Sequence, residues 1–179
     1  MAHAAKLKND IFGKLKERFG YTNTSQTPRV EKVVVSTGVG RIQEKDKREG
    51  IANRLAQITG QKAAETRAKK SIASFKLREG DVAGYQVTLR GARMQAFLDK
   101  LIHVALPRTR DFRGLSTGSI DEMGNYTIGI REHTVFPETS DEDVRDVFGL
   151  AVTIVTTAKT KQEAEGFLRE LGLPLKKEE

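Results

Sequence analysis

Two stretches of the sequence have the two-residue period of half-buried β-strands, and this period constrains the fold more than any other feature. They are "EKVVVST", residues 31–37, and "GYQVTLR", residues 84–90. Successive side chains of a strand point to opposite faces of its sheet. If both strands join one sheet whose apolar face is covered by helices, the uncovered face carries Lys32, Ser36, Thr88 and Arg90. Such a face is either an ordinary solvated surface or one that meets the phosphates and sugar hydroxyls of RNA.

The order of the predicted elements favours an α+β fold. Apolar residues recur at helical spacing over residues 4–19, 45–59 and 93–105, and "TKQE", residues 160–163, is a capping box that begins a last helix. Strands are predicted at 30–40, 61–67, 84–91, 125–132 and 149–158. Because several strands follow one another, we expect two layers: a mostly antiparallel sheet with helices packed on one face and the other face open for RNA. No domain boundary is evident, so residues 1–179 are predicted to form one domain.

The charge of the chain is unevenly distributed. Residues 1–110 hold 23 Lys and Arg against 10 Asp and Glu, a net charge of +13, whereas residues 111–179 hold 8 against 14, a net charge of −6. A regional basic surface is typical of nucleic-acid binding, although lysine-rich surfaces also serve solubility. The chain has no cysteine, and its N-terminal "MAHAAKLKND" lacks the apolar core of a signal peptide. These features predict no disulfide, no thiolate metal site, no membrane partner and a cytoplasmic location.

The segment "AKKSIASFKLREG", residues 68–80, places basic residues around a single aromatic ring. Its cations, with the arginine just before it, are Arg67, Lys69, Lys70, Lys76 and Arg78. A core strand would not carry this much charge, and a solvated loop would not need Phe75. An RNA surface suits both features, because phosphates attract the cations and unpaired bases stack on aromatic rings.

Other patterns do not predict an enzyme. "STGVGR", residues 36–41, lacks the third glycine of a dinucleotide fingerprint and is read as a turn after a strand. The histidines are isolated, and the acidic residues of 141–146 lack the spacing of a calcium loop. No nucleophile–base pair, metal site or cofactor is expected. "LPRTRDFRG", residues 106–114, remains open: its arginines can hold phosphates, or Asp111 can pin them within the loop.

Long motifs in the chain resemble the bacterial form of the universal large-subunit ribosomal protein L-five family. They are "TGQKAAETRAKKSIASFKLREG", "VTLRGARMQAFLDKLIHVALPRTRDFRGL", "GNYTIGIRE", "FPE" and "TIVTTAKTKQEAEGFLRELGLP". The likeness extends from the first predicted helix to Pro174. One departure falls on the predicted RNA face, where Ser36 replaces the asparagine usual in the family.

The resemblance implies a structural constituent of the large ribosomal subunit at the central protuberance. Its implied partners are 5S rRNA, 23S rRNA, P-site tRNA, neighbouring central-protuberance proteins and the small-subunit head protein S-thirteen. The open sheet face would bind 5S rRNA, and Gln61 and Phe75 match family positions at that contact. The implied RNA-binding residues are Lys32, Ser36, Gln61, Arg67, Lys69, Lys70, Phe75, Thr88 and Arg90. A projecting loop at about 71–84 would contact tRNA through Ser71, Ser74, Lys76, Arg78 and Gly80.

Alternatives of other classes remain open on the sequence. The chain could act off the ribosome as a 5S RNA carrier or assembly factor, since the same surface would bind the free RNA. A nucleotide-dependent enzyme built on "STGVG" would need the missing glycine. Binding to anionic membranes through the basic first helix would expose apolar residues that are better used against the core.

Overall fold

The computed structural model describes residues 2–42, 44–75, 77–140 and 147–176, and for residues 2–10 and 74 it describes the backbone alone. Within these residues the four α-helices are α1 Ala2–Phe19, α2 Lys45–Thr59, α3 Gly91–Lys100 and α4 Lys161–Glu170. The strands are β1 Val30–Gly38, β2 Ala64–Arg67, β3 Val82–Leu89, β4 Tyr126–Ile130 and β5 Leu150–Thr156. The predicted α+β class is confirmed. No helix among the described residues is both long and apolar enough to cross a bilayer.

α2 has the bounds that its apolar period predicts. Ile51, Leu55 and Ile58 are buried along one side of the helix, at spacings of four and three residues. Gly60 ends the helix with φ 67°, a left-handed conformation that glycine adopts without steric cost. Its N–H donates to the carbonyl of Ala56 at 2.8 Å.

α3 continues into a π-helical turn, Leu101–Ala105, so the helical path covers the predicted 93–105. The N–H of Leu106 donates to the Leu101 carbonyl at 2.9 Å, a bond that closes the wider turn. Lys100, the last residue of α3, donates to the Ile58 carbonyl at 2.7 Å and to Glu138 Oε1 at 2.5 Å. The α3 side chain thereby satisfies a carbonyl near the end of α2.

α4 begins at the predicted cap with a small shift in the second bond. Thr160 Oγ1 accepts a hydrogen bond from the N–H of Glu163 at 3.3 Å. Glu163 Oε2 accepts from the N–H of Lys159 at 2.7 Å, one residue earlier than in a standard capping box. The first bond satisfies an N–H group that the start of a helix leaves without an intrahelical partner, and the second fixes the residue before the cap.

The five described strands form one antiparallel sheet in the order β2-β3-β1-β5-β4. β1 and β3 pair without interruption from Val33 opposite Leu89 to Gly38 opposite Gly84. β2 lies at the edge beyond β3, and its register shifts between Thr66 and Arg67. Such an irregularity interrupts regular pairing and bends the strand. It lies just before residues 68–81, which leave the sheet.

The chain divides into two compact units, each with its own buried apolar residues. The first comprises Met1–Glu31, Arg113–Thr127 and Ile154–Glu179, and the second Lys32–Phe112 and Ile128–Thr153. In the first unit α1 and α4 are joined by an ion pair of 2.6 Å between Lys14 and Glu170, and Leu15 and Leu168 are buried. In the second unit Val33, Val35, Leu55, Leu89 and Phe136 are fully buried. All residues of the site described next belong to the second unit.

Candidate nucleic-acid interface

The two faces of the β1–β3 ladder differ in exposure. Val34 lies opposite Thr88, and Ser36 lies opposite Gln86; these four side chains are partly or fully exposed. On the other face the directly paired residues are fully buried: Val33 with Leu89 and Val35 with Val87. The alternation predicted from the sequence is therefore confirmed for this pair of strands.

Two cations lie at one end of the accessible face. Lys32 precedes the first paired residue of β1 and is partly exposed. Arg90 follows the last residue of β3 in an extended conformation, φ −139° and ψ 161°, and is exposed. Because the parity of each strand continues through these residues, Lys32, Ser36, Thr88 and Arg90 share the accessible face.

Gln61 is held beside this face by both ends of its amide group. Its Nε2 donates to the carbonyl of Thr88 at 3.3 Å, and its Oε1 accepts from Arg93 Nη1 at 3.5 Å. Gln61 comes just after Gly60, where α2 ends, so the left-handed glycine turns the chain toward β3. Arg93 is exposed and was not singled out from the sequence, because its partner is 32 residues away along the chain.

The accessible face continues across β3 to the edge strand. Ala64 of β2 lies opposite Gln86, and all four β2 residues are exposed. Arg67 Nη2 lies 3.3 Å from Glu65 Oε2 in an exposed ion pair, which contributes little to stability and leaves the guanidinium available to a ligand. On the covered face, burial and then the nearby Glu65 carboxylate raise the pKa of the Tyr85 phenol.

Residues 68–81, which we name the arm, are held together by their own backbone. The N–H of Ala68 donates to the Asp81 carbonyl at 2.9 Å, and the N–H of Gly80 donates to the Ala68 carbonyl at 3.0 Å. Farther out, Ile72 and Leu77 form an antiparallel bridge around the 3₁₀ turn Ala73–Phe75. The arm is thus a hairpin, with its exposed side chains carried on a hydrogen-bonded frame.

The predicted contact residues of the arm are distributed along this hairpin. Lys69 and Lys70 are exposed near its base. Ser71 Oγ accepts from the N–H of Glu79 at 2.9 Å, and the N–H of Arg78 donates to Asp81 Oδ2 at 2.8 Å. Gly80 has φ 88°, a left-handed conformation in the returning turn. Lys76 and the side chain of Ser74 lie outside the described residues.

Phe75 and Arg41 lie beside each other at the tip of the arm. Phe75 is 49% exposed, and the Arg41 guanidinium carbon is 5.8 Å from the centroid of its ring. This distance is within the range of a cation–π contact. Arg41 was not predicted as a site residue. The one available signal was its place directly after "STGVG", a segment interpreted from the sequence as a turn after a strand with no ligand.

Neither a metal site nor a glycine turn that opens a phosphate-binding helix is found among the described residues. They contain no group of three or more His, Asp and Glu arranged to hold a metal ion. The turn after β1 is followed by α2 only at Lys45, so the glycines of "STGVG" do not lead directly into a helix N-terminus that could hold a phosphate. His133 is fully buried and stacked on Phe148, whose N–H donates to His133 Nδ1 at 3.3 Å. The acidic residues 141–146 lie outside the described residues.

Comparisons with known proteins point to one family. The family model described as "Ribosomal protein L5" matches residues 23–78, and the model of the C-terminus of the same ribosomal family matches residues 82–175. The chain is similar to proteins named "Large ribosomal subunit protein uL5". That of Syntrophomonas wolfei is 52% identical over 170 residues, covering 94% of this chain and 96% of the relative. That of Halothermothrix orenii is 52% identical over 172 residues, covering 96% of each chain. That of Flavobacterium johnsoniae is 48% identical over 182 residues, covering 99% of this chain and all of the relative.

Proposed function

We propose, from the premise that this chain belongs to the ribosomal protein L5 family, that its accessible β1–β3 face binds 5S rRNA in the large ribosomal subunit. The family supplies the coarser part of this function: its members are structural, non-enzymatic components of the ribosome, which in bacteria lies in the cytoplasm. The finer part, which RNA is bound and by which residues, rests on the geometry of the second unit.

The observation that carries the proposal is the accessible polar face with cations at one end. Lys32 and Arg90 can form charge-assisted hydrogen bonds with phosphates, bonds about twice as strong as neutral ones. Thr88, Ser36 and the amide of Gln61 can exchange hydrogen bonds with ribose hydroxyls, which distinguish RNA from DNA. Arg67, Lys69 and Lys70 extend the positive charge from the edge strand into the arm.

The same premise leads us to propose that the arm reaches further partners. Its side chains Ser71, Ser74, Lys76 and Arg78, with the turn at Gly80, would contact P-site tRNA through sugar and phosphate groups. Contacts of the chain with 23S rRNA, neighbouring proteins of the central protuberance and the small-subunit protein S-thirteen complete the proposed set. A hairpin held by its own hydrogen bonds suits such a role, because less conformational entropy is lost when it binds.

Binding of purified variants to a 5S rRNA transcript at two salt concentrations tests the central claim. Lys32→Ala and Arg90→Ala should each weaken binding by about 1–3 kcal/mol. Each should also reduce the dependence of affinity on salt, because one fewer counterion is released. Lys47→Ala is the control, since Lys47 is exposed on α2 and pairs with Glu44 at 3.2 Å. Unchanged affinity for both face variants would remove this face from the RNA contact.

Sedimentation distinguishes the ribosomal role from an off-ribosome carrier. A constituent of the large subunit should remain with intact large subunits through a high-salt gradient. A carrier or assembly factor should instead be found with free 5S rRNA or with subunit precursors. Binding to isolated 5S rRNA is expected of both, so that measurement alone does not separate them.

A further inference from the structure

The turn just before β4, residues 121–125, carries an apolar side chain in full contact with water. Among the large apolar residues that the structure describes, Met123 is the most exposed, at 73%. Met94, on α3, is only 7% exposed. The sequence has one more methionine, Met1, which lies outside the described residues. The two described thioethers therefore have opposite environments, one in water and one in the core.

Hydrogen bonds hold this turn in place. Asp121 Oδ1 accepts from the N–H of Asn125 at 2.6 Å, and the N–H of Asp121 donates to the Asn125 carbonyl at 2.9 Å. Thr156 Oγ1 donates to the Gly124 carbonyl at 2.6 Å, and Gly124 has φ 78°, a left-handed conformation. The backbone on both sides of Met123 is thus fixed, so its sulfur is presented to solvent by a rigid frame.

We propose that Met123 is a site of reversible oxidation to methionine sulfoxide by peroxides. A lone pair of the thioether attacks one oxygen of hydrogen peroxide, the O–O bond breaks, and an S–O bond forms. The sulfur is oxidised by two electrons, and the peroxide is reduced by two and leaves as water. Methionine sulfoxide reductases reverse such a modification, and a sulfoxide on an exposed turn is accessible to them.

The fold tolerates this oxidation at Met123 and not at Met94. A sulfoxide is polar, and it disrupts a protein core because burying a polar group without a partner is unfavourable. Met123 is already in water, so the added oxygen is hydrated and no packing is lost. Met123 also belongs to the first unit, whereas the proposed RNA-binding residues belong to the second. The modification site is therefore independent of the proposed function.

Peroxide treatment of the purified full chain, followed by digestion with trypsin and mass spectrometry, tests the site. Trypsin cleaves after Lys and Arg, so Met1, Met94 and Met123 fall in separate peptides, residues 1–6, 94–100 and 114–131. In the native chain Met123 should gain one oxygen atom at least about tenfold faster than Met94. In guanidinium chloride the two rates should agree within about twofold, because unfolding exposes both side chains.

Melting temperature and enzymatic repair test tolerance and reversibility. The chain oxidised at Met123 should melt within about 2 °C of the untreated chain, and a methionine sulfoxide reductase should restore the original mass of peptide 114–131. Met123→Leu, treated identically, is the matched control for oxidation elsewhere.

Three results would overturn the proposal. The first is equal oxidation rates of Met94 and Met123 in the native chain. The second is a fall in melting temperature of more than about 5 °C that the treated Met123→Leu control does not share. The third is a sulfoxide at Met123 that the reductase leaves in place.

Discussion

Gly84 is the position at which the β-sheet tolerates a side chain least. It is buried in β3 opposite Gly38 of β1 and Thr66 of β2. A Cβ on Gly84 would lie 2.6 Å from the Thr37 carbonyl oxygen and 3.0 Å from Thr66 Oγ1. Ordinary contacts of a Cβ begin at 3.4 Å, so Gly84→Ala requires a displacement of roughly 0.8 Å between two paired strands. The carbonyl belongs to the backbone and cannot rotate away as a side chain would.

We expect Gly84→Ala to destabilise the protein by about 1–3 kcal/mol, the usual cost of overpacking. For a chain of this length, 1 kcal/mol corresponds to about 2–4 °C, so the melting temperature should fall by about 2–12 °C. Thermal unfolding followed by circular dichroism measures the fall. Hydrogen exchange should also become faster in β2, because the substituted residue lies directly opposite Thr66.

Gly38→Ala is the matched control for this prediction. Gly38 is the direct cross-strand partner of Gly84, and a Cβ on it would meet nothing within 4 Å. The stability should therefore stay within about 0.5 kcal/mol of the parent or rise slightly as the unfolded chain loses freedom. A melting temperature of Gly84→Ala within about 1 °C of the parent would refute the close approach. Equal losses in both variants would show a general preference for glycine here instead.

Three further results are expected. Burial raises the pKa of Tyr126 to about 12, above the value of about 10 in an unfolded chain. The contribution of the protonated phenol to stability is therefore complete below pH 10 and is lost as the pH rises through 12. Absorbance of the tyrosinate should accordingly rise late and together with unfolding. Thr156→Val removes a buried hydrogen bond of 2.6 Å to the Gly124 carbonyl, which should cost about 1–3 kcal/mol in urea unfolding. Gln86→Ala should weaken 5S rRNA binding, because Gln86 lies opposite Ser36 and supplies on the same face the amide that serine lacks.

Each of these expectations has a contradicting result. Ionisation of Tyr126 near pH 10 with the circular dichroism spectrum intact would show that the phenol is reached by water in the folded state. Thr156→Val with parental stability would show that the Gly124 carbonyl finds another partner. If Gln86→Ala binds with unchanged affinity while Ser36→Asn binds more tightly, Gln86 on the neighbouring strand does not replace the amide that Ser36 lacks.

Elements that depend on neighbours in sequence were predicted closely. The helix at residues 45–59 has the predicted bounds, because the apolar period and the glycine that ends it are both local. The exposed and buried sides of β1 and β3 follow from parity, which needs only the direction of alternate side chains. The capping threonine of α4 was predicted for the same reason. The identity of the second donor was not, because the side-chain conformation of Glu163 decides that its carboxylate accepts from the N–H of Lys159.

Features that depend on distant pairing could not be read from the sequence. The strand order, the register shift after Thr66 and the division into two units are set by packing between segments far apart in the chain. The bond from Arg93 to Gln61 and the approach of Arg41 to Phe75 span about 30 residues each, and no local pattern announces either contact. The residues that refine the candidate site are therefore those that sequence reasoning missed.

The ladder also determines how the two parts of the proposed site relate to each other. Lys32 lies at one end of the accessible face, and Gly38, which lines a cleft together with Arg41 and Phe75, lies six residues along the same strand. At about 3.3 Å per residue these ends are roughly 20 Å apart. One nucleotide is too small to span this distance and touch both ends. We therefore expect the cationic end and the Arg41–Phe75 end to contact different nucleotides of the proposed RNA ligand. Because sites more than about 10 Å apart couple weakly, the losses from Lys32→Ala and Phe75→Leu should add to within about 0.5 kcal/mol.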